Sequence, residues 1–323
     1  MKTLSIISAT LAGLLLLGLA GRYVSESWLF YTFGSFQIQG AIAALAIALV
    51  AFLLHRHLVT FGLMVAAIAI GLHGYVMLGD FRQPTLLDYG NPPSIKLLSI
   101  NIMGDNAANG AKIADYILGS GADVVMIQES APIGPQIDRM KVIYPYRLGC
   151  GAKTVTCDSS LWSKTQFVAG EVYTASPIYR DRLMIASISF GGQVVNFANV
   201  HLTKPYFDNM HAVELKKIRE RLADYATAQP GPYVLAGDFN ASILTPDVRS
   251  FLSSTSLMTA DHEPHTWPVG FPAIGTAIDH VFVSDPLRID RLAATPDPIG
   301  SNHYGLLADI IRIDPTASYP ERR

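Results

Sequence analysis

The sequence predicts an α/β domain of two packed sheets flanked by helices, preceded by three membrane-spanning helices. Two observations lead to this prediction. The first 82 residues contain three long, nearly uncharged runs, whereas the chain after residue 93 contains many short apolar segments and few helical patterns. Strands that outnumber helices bury their faces against a second sheet, and helices then cover the outer faces. The part after residue 93 is long enough for one domain with one sizeable core.

The three apolar runs are residues 4–20, 38–54 and 59–78. Each is long enough to cross a bilayer as a helix, which takes about 17–25 residues. A buried core helix would show a polar face, and residues 41–54 show none. The first run has an alternative interpretation as a signal peptide, because Lys2 precedes it and residues 18–20 resemble a cleavage site.

Three spans place the two ends of the membrane region on opposite sides of the membrane, and the basic residues between them bias the orientation only slightly. The only two cysteines, Cys150 and Cys157, lie in a Gly-containing segment that can close into a small ring. A disulfide persists only in an oxidising compartment, so a Cys150–Cys157 bond favours an extracytoplasmic domain on a multi-pass cell-membrane protein. A pair of free thiols is the alternative. Zinc is disfavoured, because no further Cys or His lies nearby.

Composition and the positions of turn-forming Pro and Gly residues divide the chain into four parts: the membrane region 1–82, a Pro- and Gly-containing linker 83–93, the α/β domain 94–314 and a tail 315–323. Of 24 basic and 26 acidic residues, four basic and three acidic ones precede residue 94. The remaining 20 and 23 give a formal charge near −3. A nucleic-acid-binding domain would be strongly basic, so composition disfavours that partner.

Within the domain, strands are predicted at 95–100, 124–127, 158–162, 183–190, 194–200, 233–236, 277–283 and 305–313, and helices at 111–118, 211–227 and after Pro246. The strand ending in Gly237-Asp238-Phe239-Asn240 is the most informative. Asp238 and Asn240 follow an apolar run at i, i+2 spacing, so both side chains leave the same face. Gly-Asp-x-Asn also makes ordinary turns, and the motif alone is therefore weak.

Other strand ends carry polar residues in the same way. The set comprises Asn101, Glu129, His201, Asp238 with Asn240, Asp279 with His280, and Asn302 with His303. Their order and flanking residues resemble the endonuclease/exonuclease/phosphatase superfamily, the metal-dependent phosphoesterases that include DNase I, inositol polyphosphate phosphatases and neutral sphingomyelinases. The resemblance implies a four-layered α/β sandwich with the site where the strand ends of both sheets meet.

The resemblance also implies roles. Glu129 would bind Mg²⁺, or Mn²⁺ in its place, with Asn101 and the position of Asn302 beside it, since hard oxygen ligands suit these ions. Asp238 would activate the attacking water, and His201 and Asn240 would contact the phosphate. Asp279 would hold His303, which would act as an acid/base or stabilise negative charge. Such a set supplies the in-line water and the charge neutralisation that phosphate-ester hydrolysis needs.

One position departs from the family, which usually ends in Ser-Asp-His where this chain has Ser301-Asn302-His303. The Asn removes one negative charge, which puts a second metal in doubt. Structural alternatives also exist, because Asn101 could be a turn residue and His201 a core residue. Trp267 could line a substrate groove or pack in the core. Seven histidines are assigned to structure or solvent: His55, His57, His73, His211, His262, His265 and His280, the last pointing away from Asp279 by strand alternation.

The sequence thus predicts a membrane-anchored, Mg²⁺-dependent phosphoesterase whose substrate is a phosphate ester at the membrane surface. Three spans followed by one such domain also resemble the VanJ-type membrane proteins, which implies a polyprenyl phosphate or pyrophosphate. An extracytoplasmic endonuclease or phosphodiesterase is the second hypothesis, although the acidic domain offers no basic groove. A catalytically silent binding module on a membrane anchor is the third, supported only by Asn302.

Overall fold

The computed structural model describes residues 1–25, 27–84, 89–90, 92–206 and 208–314. The membrane region contains α1 (Lys2–Ala20), a short α2 (Tyr31–Ser35), α3 (Gln37–Leu54) and α4 (Leu58–Met77). By length and composition, α1, α3 and α4 are each able to cross a membrane. The prediction of three apolar helices before the α/β domain is confirmed.

Small residues on one face of α3 let the three long helices approach one another. Ala41, Ala44, Ala48 and Ala51 are all buried there. Membrane helices use such small-residue interfaces, because lipid tails provide no hydrophobic drive between helices and close packing must do so. The large apolar side chains point outward instead, as Leu17 does with 69% of its surface exposed. This arrangement, with small residues inside the helix bundle and large apolar residues outside, is the reverse of that in a water-soluble protein and suits a lipid environment.

The α/β domain follows. Its strands are β1 (Ser94–Asn101), β2 (Val124–Gln128), β3 (Tyr146–Gly149), β4 (Ser159–Ser163), β5 (Phe167–Tyr173), β6 (Leu183–Phe190), β7 (Gln193–His201), β8 (Tyr233–Asp238), β9 (Asp279–Val283), β10 (Leu287–Ala294) and β11 (Leu306–Arg312). Its helices are α5 (Gly110–Gly119), α6 (Ile137–Met140), α7 (Met210–Ala228) and α8 (Pro246–Thr255).

The strands form two mixed sheets. Sheet I has the order β10-β11-β1-β2-β4-β3, and sheet II has the order β5-β6-β7-β8-β9. Each sheet contains one parallel pair, β1 with β2 and β7 with β8, joined through α5 and α7 respectively. All other neighbours are antiparallel.

The core lies in three layers because the central strands are buried on both faces. Leu97 of β1 packs between the sheets, while the next residue, Leu98, packs beneath α5. In the same way Val234 of β8 faces sheet I, and Leu235 faces α7 and α8. Strands buried on both sides give continuous apolar runs in the sequence. The predicted four-layered α/β sandwich is confirmed.

Three strands escape sequence prediction, namely β3, β5 and β10. All three lie at sheet edges. Edge strands are short or carry charges that discourage pairing with other chains, so their apolar alternation is weak. The strand β10 shows this with Arg288, Asp290 and Arg291 within eight residues.

The α/β domain packs directly on the ends of the membrane helices. Arg22 donates to the Leu244 carbonyl, and Gln39 Nε2 donates to the Gly275 carbonyl at 2.6 Å. On the other side, Arg249 donates to the Met77 carbonyl at 3.0 Å. The three N-terminal apolar helices therefore hold the α/β domain at several points.

The first residue of the predicted linker, Gln83, belongs structurally to the domain. It is buried and exchanges two hydrogen bonds with the Ile289 backbone, at 2.6 and 3.0 Å. Residues 85–88 and 91 of the predicted linker and the tail 315–323 lie outside the described residues.

Candidate active site

Strand register brings predicted site residues side by side. In sheet II, the pairing of β7 with β8 sets His201 opposite Asp238, and the pairing of β8 with β9 sets Asp238 opposite Asp279. In sheet I, β1 ends at Asn101, and Glu129 directly follows β2. The carboxyl ends of both parallel pairs therefore meet at one crevice, where α/β folds bind their ligands.

The close approach of β7 and β8 depends on Gly237, whose φ is +144°. A Cβ built on this residue would lie 1.9 Å from the Val200 carbonyl oxygen. Only glycine adopts this conformation without a steric penalty. The glycine before Asp238 is thus what allows that carboxylate to reach the neighbourhood of His201.

Glu129 and Asn240 both have left-handed backbone conformations, with φ of +57° and +52°. Such a conformation costs a residue with a Cβ roughly 1–2 kcal/mol. It persists where the surrounding structure imposes it, and such residues cluster at functional sites. The left-handed backbone conformation directs the side chains of Glu129 and Asn240 toward the crevice.

Glu129 is held by backbone and side-chain donors. Its Oε2 accepts from the Gly104 amide at 2.6 Å, and its Oε1 accepts from Asn101 Nδ2 at 3.2 Å. The same Nδ2 donates to Asp238 Oδ2 at 2.9 Å, while Asn101 Oδ1 accepts from the Met103 amide at 3.0 Å. Asn101 is therefore a bridge between two carboxylates, which excludes the ordinary turn interpretation as its whole role.

Asp238 is almost fully buried and well supplied with donors. Its Oδ1 accepts from the Asn240 amide at 2.7 Å. Burial and then the charge of Asp279 raise the pKa of Asp238, against the opposing influence of His303 and His201. A carboxylate with a raised pKa is suited to accept a proton near neutral pH.

Asn240 fastens the Asp238 loop from the other side. Its Nδ2 donates to the Leu202 carbonyl at 2.9 Å and to Asp238 Oδ2 at 3.2 Å. Both amide hydrogens are thus engaged. Asn240 positions Asp238 in this structure, and a donor role toward phosphate requires it to release one of these bonds.

His303 pairs with Asp279, as the family resemblance implies. The distance from His303 Nδ1 to Asp279 Oδ2 is 2.9 Å, and His303 Nε2 lies 4.0 Å from Asp238 Oδ2. Burial lowers the pKa of His303, but the charges of Asp279 and Asp238 outweigh it and raise the pKa to about 9. At neutral pH the ring is therefore an imidazolium facing the crevice.

His201 is held by a partner that sequence reasoning missed, Asp158. The Asp158 carboxylate lies 2.8 Å from His201 Nδ1 and also accepts from Arg182, whose guanidinium stacks on the Tyr179 ring. Burial alone would raise the pKa of Asp158, but His201 and Arg182 together lower it. The pair turns His201 Nε2 to the crevice, 3.9 Å from Glu129 Oε1. The only sequence signal was an acid at the start of a predicted strand, assigned to the strand.

The crevice is a cavity of about 640 Å³. Six of the eight predicted site residues line it: Glu129, His201, Asp238, Asn240, Asn302 and His303. The other two, Asn101 and Asp279, lie behind it and hold Glu129, Asp238 and His303 through the hydrogen bonds above. The structure thus brings the whole predicted set together.

Two histidines assigned to structure lie behind the Asp238 loop. His211 Nε2 donates to the Phe239 carbonyl at 2.7 Å, and His280 Nε2 donates to the Ala241 carbonyl at 2.9 Å. The other ring nitrogen of each contacts a carboxylate. Both rings are fully buried, which fits the structural role predicted for them.

The donor set fits a divalent cation. Glu129 turns a carboxylate, 35% exposed, to a cavity with room for water, and Mg²⁺ keeps several waters while binding one or two carboxylates. Asp238 and Asp279 offer further carboxylate oxygens, which lie within 4.8 Å of each other. Asp279 Oδ1 is buried without a hydrogen-bond partner in the described part of the chain. The neighbouring carboxylates carry negative charge, and Asp279 Oδ1 has no hydrogen-bond donor. A bound cation would balance this charge and supply the missing partner.

Residues 98–303 match the model of the Endonuclease/Exonuclease/phosphatase family. That span is nearly two thirds of the chain and includes all eight predicted site residues. The chain belongs to this family. No curated protein matches it. Members of the endonuclease/exonuclease/phosphatase family are hydrolases that act on phosphate esters.

Solved structures share the fold of this family member. The human Nocturnin catalytic domain with bound sulfate is 16% identical, with a TM-score of 0.55 over 69% of this chain and 96% of its own. Sphingomyelinase C from Streptomyces griseocarneus is 18% identical, with a TM-score of 0.50 over 67% and 99%. A beta toxin variant from Staphylococcus aureus with bound magnesium ions is 15% identical, with a TM-score of 0.51 over 67% and 99%. These likenesses show the DNase I-like fold.

Proposed function

We propose that this protein is a membrane-anchored, Mg²⁺-dependent phosphoesterase that hydrolyses a lipid-linked phosphate or pyrophosphate, with a polyprenyl pyrophosphate as the leading substrate. The observation that carries the proposal is the position of the reaction centre beside the membrane region. Asn302 and His303 line both the catalytic cavity and a second one that includes Phe36, the residue before a membrane helix. One substrate molecule can therefore place its phosphate at the site and its chain in the bilayer.

Each residue of the site has a separate role in the proposed hydrolysis. Asp238 takes a proton from the attacking water, because burial and Asp279 raise its pKa. As the water oxygen bonds to phosphorus, the bond from phosphorus to the leaving ester or bridging oxygen breaks, and that oxygen departs with the lipid-linked product. His303 faces the developing charge as an imidazolium, since its pKa of about 9 keeps it protonated at neutral pH. His201, held by Asp158, presents Nε2 to a phosphoryl oxygen.

Glu129 would hold Mg²⁺, with Asn101 and Asn302 beside it, and the ion would offset negative charge on a phosphoryl oxygen. The carboxamide of Asn302 contributes no charge where the family pattern has Asp. One ion rather than two is therefore expected, and Mn²⁺ should replace it.

We further propose that the α/β domain lies outside the cytoplasm. Cys150 and Cys157 form a disulfide next to the site, and disulfides persist in oxidising compartments. The test is alkylation of membrane-extracted protein under denaturing, non-reducing conditions, followed by mass analysis. We expect no alkylated thiol. Two alkylated thiols would contradict the disulfide and remove the main support for this orientation.

The decisive experiment measures phosphate release from a polyprenyl pyrophosphate by full-length protein in detergent with Mg²⁺. We expect release that stops with a chelator and returns with Mg²⁺ or Mn²⁺. Asp238→Asn should lower the rate by about 100–10,000-fold, the usual contribution of a general base. Asp261→Asn, at an exposed carboxylate outside the site, is the matched control and should leave the rate unchanged.

Two other outcomes would redirect the assignment. Cleavage of plasmid DNA with no release from lipid phosphates, falling steeply with salt, would make the protein an endonuclease. No Asp238-dependent turnover of lipid phosphates, simple diesters or DNA would make it a silent binding module.

A further inference from the structure

A second cavity, of about 180 Å³, lies between the membrane region and the α/β domain. At one end it reaches Asn302 and His303, which also line the catalytic cavity. Its apolar wall is formed by Phe36, Pro205, Trp267 and Ile278. Trp267 thus lines a cavity, which was one of its two predicted roles.

The membrane-side wall of this cavity is fixed in place. The Ser242 amide donates to Ser35 Oγ at 3.1 Å, and Thr276 Oγ1 donates to the Ser35 carbonyl at 3.2 Å. The rings of Phe36 and Trp267 meet edge to face, 6.2 Å apart at 63°. Since α3 begins at the next residue, the cavity connects the catalytic site with the end of a membrane-spanning helix.

We propose that this cavity binds the first few carbons of an apolar chain whose phosphate occupies the catalytic cavity, so that Phe36 and Trp267 set the enzyme's preference for amphiphilic phosphate esters. This inference rests on the proposed function. The four apolar side chains form one wall, and Asn240, Asn302 and His303 lie at the end shared with the catalytic cavity, an arrangement that fits an amphiphilic phosphate ester. Thr32 and Ser35 add hydroxyl groups on the membrane side. A nucleobase is the rival occupant, because aromatic side chains stack bases. The edge-to-face arrangement of Phe36 and Trp267 leaves no pair of parallel faces for one.

The volume sets the length of chain that is recognised. About 180 Å³ equals roughly six water volumes at ~30 Å³ each, and a methylene group is of similar size. Each methylene moved from water to an apolar site strengthens binding by about fourfold. Affinity should therefore rise over about the first six carbons and level off beyond them.

The experiment measures dissociation constants of n-alkylphosphonates with two to ten carbons, using full-length protein in lipid nanodiscs with Mg²⁺. These compounds are not hydrolysed, so binding is separated from turnover. We expect the dissociation constant to fall about fourfold per carbon to roughly six carbons. A constant value across the series would overturn the proposal.

Variants assign the effect to the cavity. In Phe36→Ala, the dissociation constant should depend much less on chain length, while that of ethylphosphonate should stay within about twofold of wild type. Phe36→Leu should restore most of the dependence on chain length. Trp267→Ala gives a second test of the same wall. Phe271→Ala removes an aromatic ring that is 68% exposed and should behave as wild type. An unchanged dependence in both Phe36→Ala and Trp267→Ala would overturn the proposal, as would tighter binding of a nucleoside monophosphate than of hexylphosphonate.

The failure of this inference and of the proposed function are distinguishable. Release of phosphate from polyprenyl pyrophosphate without any chain-length dependence of phosphonate binding would overturn only the chain-binding cavity. Chain-length dependence that is lost in Phe36→Ala, without release from any lipid phosphate, would support the cavity and overturn the proposed reaction.

Discussion

Replacing His211 with alanine should loosen the loop that carries Asp238 and Asn240. In wild type, His211 hydrogen-bonds Asp247 through Nδ1 and the Phe239 carbonyl through Nε2, at 2.7 Å for the latter. The variant leaves the Asp247 carboxylate buried without its partner. Removing one member of a buried ion pair costs about 3–5 kcal/mol. At about 2–4 °C per kcal/mol for a domain of this size, the midpoint of thermal unfolding should fall by about 6–20 °C.

The fall in the unfolding midpoint of His211→Ala should depend on pH. Burial opposes both shifts, but Asp247 raises the pKa of His211, and His211 lowers the pKa of Asp247. The contribution from His211 is complete below about pH 6.5 and is lost as the pH rises through its raised pKa. The contribution from Asp247 is complete above about pH 4 and is lost as the pH falls through its lowered pKa. The difference between wild type and variant should be largest between about pH 4 and 6.5 and shrink at alkaline pH.

The assay is thermal unfolding of full-length protein in detergent, followed by near-UV circular dichroism, which reports the packing of aromatic side chains, most of which lie in the α/β domain. Asp247→Asn keeps a hydrogen-bond acceptor without the charge, so its unfolding midpoint should fall less than that of His211→Ala. His262→Ala, at an exposed histidine, should match wild type. Below both midpoints, His211→Ala should lower kcat by up to about 100-fold, because small displacements of catalytic groups are costly. A midpoint within about 2 °C of wild type, or an equal loss at pH 5 and pH 10, would refute the reasoning.

Three further predictions concern the reaction centre. Gly237→Ala places a Cβ 1.9 Å from a backbone oxygen and should abolish activity or folding. At Gly270 an added Cβ meets no atom of the described residues within 4 Å, so Gly270→Ala should leave yield and activity unchanged. Asp158→Asn should lower kcat about tenfold or more by releasing the His201 ring, and an unchanged kcat would remove Asp158 from the site. The pH profile of kcat/KM should fall as the pH rises through about 9, where His303 loses its proton, and a profile flat to pH 10.5 would exclude an imidazolium role.

The central strands and the site could be predicted from the sequence for a common reason. Strands such as β1 and β8 are buried on both faces, so their residues form uninterrupted apolar runs, and a polar residue at the end of such a run stands out. Asn101 and Asp238 were found in this way. The edge strands β3, β5 and β10 lack this contrast, because one side of each meets solvent.

The partner of His201 could not be predicted in the same way. Asp158 lies 43 positions from His201 along the chain, and their contact arises only when β4 of one sheet approaches β7 of the other. The same holds for the bridging role of Asn101, because its sequence context is also compatible with an ordinary turn. Its bridging of Glu129 and Asp238 depends on the distance between the two sheets.

The sequence by itself predicted the apolar spans and the two-sheet fold, which follow from local periodicity, and it singled out eight polar residues at strand ends because they interrupt that periodicity. Their predicted roles came from the family resemblance. Tertiary structure alone decided how those residues are charged and what they face. The raised pKa of His303 requires Asp279 and Asp238 to be brought beside it, and the second cavity requires Phe36 to reach Trp267 across some 230 positions of chain. Coulombic coupling and cavity shape depend on distances between segments remote in sequence, and no local pattern encodes those distances.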